Sequence, residues 1–239
     1  MQCWINSWNK LICESNNNNI DRTRMHTYVK TLQEISSRYA PSRILSYDMA
    51  HIFKTLQLMH YKGHISRELL CKELNLGEGS IKTLVKHLKM QDLIFTSNSG
   101  TKLSDKGIDL FSQLHASIPT ECVIPKCSVA LGKYNYGVLV KHLAYAIKSG
   151  IEQRDAAVKT GALGATTLLY IDRKFVIPLT GYDSLRNEIR IYKLLVASLI
   201  PESGDVIIVG SDESDPRTAE LASKSAALLT IMNHENHTE

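Results

Sequence analysis

At 239 residues, with 44% hydrophobic and 22% charged side chains, the chain has a globular composition and material for two domains of ordinary size. No apolar run approaches the roughly 20 residues of a membrane-crossing helix. The N-terminal MQCWINSWNKLICE lacks the basic leader, long apolar stretch and small-residue cleavage site of a secretory signal, so a cytoplasmic location without a membrane partner is expected. Net charge is +4 and unevenly placed: residues 43–118 carry ten Lys/Arg against seven Asp/Glu, whereas 126–239 carry thirteen of each. A mildly basic first half beside a neutral second half fits a small nucleic-acid-binding module with a companion.

In chain order, residues 1–24 contain the tract SNNNN and read as a disordered lead-in, with Met25 an alternative start. From about 24 to 39 Met25, Tyr28, Val29, Leu32, Ile35 and Tyr39 recur at helical spacing, and Pro41 ends the run. Asp48 opens a helix to about Tyr61, with Ile52, Phe53, Leu56 and Met59 on one face and Gly63 as its stop. Ser66 caps a second helix over about 67–75. LGEG then supplies a turn whose glycines take positive φ cheaply, and Ser80 caps a third helix, about 81–91, with Ile81, Leu84, Val85 and Leu88 inward. A strand near 93–97, the turn Asn98–Ser99–Gly100, a returning strand at 101–103 and a helix from Ser104 or Asp105 follow.

Helix, turn, helix and two-stranded hairpin within about 45 residues is the winged helix-turn-helix order. Such a third helix needs an apolar back to sit on its domain and a polar front to enter a major groove. Here the front carries Ser80, Lys82, Thr83, Lys86, His87 and Lys89, and no acid interrupts it between Ser80 and Gln91. Candidate DNA-binding residues are Ser66 and Arg67 at the N-terminus of the second helix, then Ser80, Lys82, Thr83, Lys86 and Lys89, then Ser99 and Lys102 at the wing tip. The expected partner is double-stranded DNA, with helix 80–91 in the major groove and the hairpin, about 97–102, on the backbone. Dimerisation is expected because one short recognition face gives little specificity; the stripe at 24–39 packs either on its own domain or on a second subunit, and is the first candidate interface.

Residues 119–126 hold two prolines without helical period and read as a linker. Beyond it, strands near 127–131, 136–141, 165–171, 174–178 and 205–210 alternate with helices near 144–160, 184–199 and 216–232, which reads as an α/β domain over 127–239. The polar cluster Gln153, Arg154, Asp155 precedes the glycine-rich GALGATT (161–167), and the strand DVIIVG leads into the acidic loop SDESDP. A small-molecule effector site would draw on Gln153, Arg154, Asp155, Gly164, Thr166 and Asp212; the rival reading turns Ile151 and Val158 inward and makes Arg154 and Asp155 an internal pair at the core margin. The glycines lie between helix and strand, the reverse of a phosphate-binding loop, and neither GxxxxGK[ST] nor GxGxxG occurs.

Five scattered cysteines (Cys3, Cys13, Cys71, Cys122, Cys127) argue against a disulfide framework. Cys122 and Cys127, with His115 before them, lack the second ligand pair of a zinc site, so neither metal nor cofactor is expected. No nucleophile elbow or His-Glu-x-x-His pair points to catalysis.

Four runs carry a resemblance: PSRIL (41–45), GHISRELLCKELNLGEGSIKTLVKHLKMQDLIFTSNSGTKLSDKG (63–107), GIEQRDAAVKTGALGATTL (150–168), and GDVIIVG followed by AELA (204–222). Over about 25–232 the chain resembles archaeal winged-helix proteins that pair this domain with a C-terminal α/β domain of unknown function. The resemblance implies a transcriptional regulator with no established ligand. The fold expected is therefore an α+β winged-helix domain over 25–118 followed by an α/β domain with an effector-sensing or dimerisation role. The alternatives are an enzyme fused to a winged helix, and a winged helix used for protein or RNA contacts.

Overall fold

The computed structural model describes residues 22–37 and 45–233. The expectations for the lead-in, Met25 as a start and Pro41 as a stop fall outside the described residues or their side chains. The first half holds helices α1 (Arg22–Ser36), α2 (Met49–Lys62), α3 (Arg67–Leu74) and α4 (Glu78–Met90), the hairpin β1 (Ile94–Ser97) and β2 (Gly100–Leu103), and α5 (Asp105–Ser117). Asp48 caps α2 by accepting from the His51 amide, and the His51 ring answers it in a capping box. Ser66 caps α3 through the Leu69 amide at 3.1 Å, and Ser104 caps α5 through the Gly107 amide at 3.0 Å. Gly107 is required by a close approach: a Cβ there would lie 2.1 Å from the Leu93 carbonyl oxygen.

Two local expectations change. The cap of α4 is Gly77, not Ser80, because the helix begins three residues earlier and places Ser80 in its first turn. The turn before it uses Asn75, at φ 55, as its left-handed residue, and neither Gly77 nor Gly79 has positive φ.

The second half is a five-stranded sheet in the order β3-β4-β7-β5-β6, antiparallel at every pairing. Its strands are β3 (Glu121–Ile124), β4 (Tyr134–Val140), β5 (Gly164–Ile171), β6 (Lys174–Val176) and β7 (Asp205–Asp212); its helices are α6 (Ile151–Lys159), α7 (Ile189–Leu199) and α8 (Pro216–Asn233). The expected α/β domain is thus an α+β one. β4 and β5 do run parallel and are joined through α6, but β7 is inserted between them and opposes both. Alternation of strands and helices in sequence does not reveal such an insertion. The chain as a whole is mixed α+β.

The segment expected as a linker supplies the edge strand β3. Pro119 and Pro125 flank it, where a missing amide costs no ladder bond. Residues 127–131 form a turn rather than a strand. The expected helix over 144–160 is split at Gly150, whose φ of 81 separates a 3-10 turn at Ala144–Ala146 from α6.

Side chains alternate across the sheet. Leu139, Ile207 and Val209 meet Leu195 and Leu199 of α7 on one face. Val138, Val140, Val206 and Ile208 share the other with Ala222, Ala226 and Ile231 of α8. The latter cluster continues through Phe53 and Leu56 of α2 to Leu32 and Ile35 of α1, so the halves share one core rather than flanking a gap. Gly210 lets α8 approach β7, where a Cβ would lie 2.4 Å from the Ala219 carbonyl oxygen. Among the described residues, no helix is long and apolar enough to cross a membrane.

Candidate nucleic-acid interface

α4 is divided by its packing. Ile81, Leu84, Val85 and Leu88 are buried against the first half's core. Lys82, Lys86 and Lys89 are exposed on the opposite side, with Ser80 and Thr83 half-buried between the faces. The Thr83 hydroxyl is turned back to the Gly79 carbonyl at 3.0 Å. His87, expected on the polar front, is buried instead: its Nδ1 meets the Tyr47 hydroxyl, and burial lowers its pKa. It sits three residues after Leu84, where the inward stripe widens.

The earlier start of α4 adds an acid to the front. Glu78 is exposed in its first turn, one turn before Lys82.

The hairpin is anchored beside α3. Ile65 and Thr101 exchange backbone hydrogen bonds of 2.8 and 2.9 Å. Arg67, two residues beyond Ile65, and Lys102, next to Thr101, are both exposed near this bridge. Ser66 is exposed, but its hydroxyl is committed to the cap. At the hairpin tip the Ser97 and Ser99 hydroxyls pair at 2.8 Å.

Of the residues expected at an effector site, Gln153 is buried and donates to the Thr230 hydroxyl at 2.9 Å, fastening α6 to α8. Arg154 and Asp155 pair at 2.9 Å while 55% and 53% exposed. They are a surface pair, not the core-margin pair expected, because α6 turns Gln153, Ala156 and Ala157 inward instead of Ile151 and Val158. Gly164 begins β5 and Thr166 is half-buried within it. Asp212 accepts from the Ser214 and Asp215 amides at 2.8 Å each, in the turn leading to α8. None of these six residues lines the cavity between the halves.

That cavity, of about 380 Å³, is lined among others by Asp48, His51, Asn75, Lys159, Thr160 and Arg217. Burial would raise the Asp48 pKa, but hydrogen bonds and charge from His51 hold it below the usual carboxylate range. Arg217 grips Asp215 bidentately at 2.9 Å and donates to the Lys72 carbonyl at 3.0 Å, tying the start of α8 to α3.

Sequence reasoning also missed a buried charge network where α2 meets α8. Lys224, 1% exposed, donates to Gln57 Oε1 and Glu220 Oε1 at 2.6 Å each and reaches Glu121 at 3.1 Å. Lys54 holds the other oxygen of Glu220 at 2.7 Å. Burial would raise the Glu220 pKa, but the two lysines hold it below the usual range. Burial, with Glu121 and Glu220 nearby, pushes the Tyr136 hydroxyl well up. The Cys122 thiol is pushed up to about 12, by burial first and Glu121 second.

Residues 49–109 match the family model of the PH0730-like, N-terminal domain. Residues 131–231 match that of a domain of unknown function, DUF4443. Among solved structures, the chain is similar to hypothetical protein PH0730 from Pyrococcus horikoshii OT3, with 24% identity and a TM-score of 0.63 over 81% of this chain and 96% of that one. No curated protein matches. The two family matches fall one on each half, and the structural likeness, which covers both, shows a shared fold.

Proposed function

We propose that the first half is a winged helix-turn-helix that binds double-stranded DNA, and that the chain is a transcriptional regulator. The observation that carries this reading is the exposed row Lys82, Lys86, Lys89 on a helix whose opposite face is wholly buried. A helix so mounted presents cations at about one-turn spacing to a groove lined by phosphates. Arg67 and Lys102 flank it from the Ile65–Thr101 bridge, which suits contacts that position the module on the backbone. Glu78 leads the row as an acceptor, and carboxylates at such positions take the cytosine amino group.

In this reading, the cavity between the halves is where a small-molecule effector would act, since Arg217 in its wall also holds the Lys72 carbonyl near the end of α3. A second reading, contact with a protein partner, draws on Phe95 and Met90, which are 59% and 56% exposed beside the lysines. Duplex binding by the full chain separates them. The folded Lys82→Ala/Lys86→Ala variant should bind duplex DNA at least tenfold more weakly and lose about two units of the salt-dependence slope. Unchanged affinity in that variant would remove α4 from the groove.

A further inference from the structure

The described part of the stripe at 24–39, first candidate for self-association, packs within the chain. Val29, Leu32 and Ile35 are buried in the core shared with α2 and α8. The surface of α6 has the opposite character. With Gln153, Ala156 and Ala157 turned toward the rest of the second half, Ile151, Arg154, Asp155 and Val158 form the outward stripe at i, i+3, i+4 and i+7. Ile151 is 51% and Val158 49% exposed.

Two leucines extend the patch: Leu131 is 55% and Leu163 51% exposed. An ideal Cβ on Gly164 would lie 3.4 Å from Leu131 Cδ1 and 3.5 Å from Arg154 Cγ, and one on Gly132 would lie 3.0 Å from Leu163 Cδ1. Leu131 therefore lies beside the arginine stem, and Leu163 lies over the glycine next to Leu131.

The order along this stripe is apolar, positive, negative, apolar, and it has a midpoint between Arg154 and Asp155. A two-fold axis through that midpoint, perpendicular to the helix, lays a second α6 antiparallel to the first. Ile151 then faces Val158 of the second copy, and Arg154 faces Asp155 of the second copy. Each contact occurs twice, as an isologous interface requires. A partner of arbitrary sequence has no reason to match this symmetry in charge; a second copy of the chain matches it by construction.

The geometry points to the outward face of α6, with Leu131 and Leu163, as the homodimer interface, formed by antiparallel pairing of α6 about its own midpoint. The two Arg154–Asp155 contacts fix the register and Ile151, Val158 and the leucines supply the apolar area. This assignment does not depend on the DNA-binding reading, and it is tested by mass without nucleic acid.

The test is sedimentation equilibrium of the full chain at tens of micromolar, with circular dichroism and melting to verify that each variant is folded. The wild type should be a dimer. Asp155→Arg places two arginines opposite two arginines, and Arg154→Asp places acids opposite acids. Each should raise the dimer dissociation constant on the order of a hundredfold, since opposed like charges cost several kcal/mol. An equimolar mixture of the two folded single variants should associate as a heterodimer, and the double variant Arg154→Asp/Asp155→Arg should regain the dimer. A monomeric wild type would overturn the proposal. So would a dimer indifferent to Asp155→Arg, or failure of both the mixture and the double variant to associate.

Discussion

Replacing Lys224 with methionine keeps an extended side chain in place and removes its charge. Three acceptors lose their cation or donor: Gln57 Oε1 and Glu220 Oε1, each 2.6 Å away, and Glu121, 3.1 Å away. Breaking a buried ion pair from one side costs about 3–5 kcal/mol, because the remaining charge is left without compensation. Glu220 keeps Lys54 at 2.7 Å and Glu121 is partly open to solvent, which places the expected cost near the lower figure, about 3 kcal/mol. For a chain of this size each kcal/mol lowers Tm by about 2–4 °C, so melting near pH 7 should fall by about 6–12 °C. The acid dependence has a definite sign. Glu220 has a depressed folded pKa, so its contribution is present above the unfolded value of 4.5 and is lost as pH falls through the lower folded one. The difference between wild type and Lys224→Met should therefore narrow as the pH falls below that value. Calorimetry or circular dichroism melts across this range test the account. A fall of under about 2 °C near pH 7, or a gap that stays constant into acid, would refute the reasoning that this network holds the halves together.

Lys102→Ala should weaken binding to all duplex sequences alike and flatten the salt dependence by about one phosphate, measured by anisotropy on several duplexes; a sequence-selective loss would mean that the hairpin reads bases. Glu78→Gln should strengthen non-specific binding and narrow the difference between preferred and random sequences, read in the same assay. Gly107→Ala should destabilise the first half by at least about 1–3 kcal/mol in urea unfolding, since its Cβ would meet the Leu93 carbonyl oxygen at 2.1 Å.

Much of the first half was legible because its signals are local. Asp48, Ser66 and Ser104 each sit where a helix must satisfy its first amides, and each does so. The position of the α4 cap was misread because Ser80 is a better cap by residue type than Gly77, yet the chain leaves the left-handed Asn75 already placed for the helix to begin at Glu78. In the second half, the buried strand at β7 showed in its apolar run, whereas its insertion between β4 and β5 is a long-range pairing that no local pattern encodes. For α6, the larger apolar residues Ile151 and Val158 suggested the inward face. Close approach to α8 instead selected the small Ala156 and Ala157, with Gln153 spared a desolvation cost by Thr230. The network at Lys224 left a trace in the sequence, a lysine within the otherwise small and apolar ASKSAALL, as Lys54 did within HIFKTLQLM. A single lysine on an apolar face reads as a snorkelling side chain until the facing carboxylates are brought together by the fold.

The central claim, that the exposed face of α4 engages DNA through its lysines, is tested most directly by titrating the full wild-type chain against duplex DNA over a series of salt concentrations. The account predicts binding at low salt that weakens linearly on logarithmic axes, with a slope of about −0.9 for each phosphate neutralised and so about −4 to −5 if Arg67, Lys82, Lys86, Lys89 and Lys102 take part. Absence of binding at low salt, or an affinity independent of salt, would contradict it.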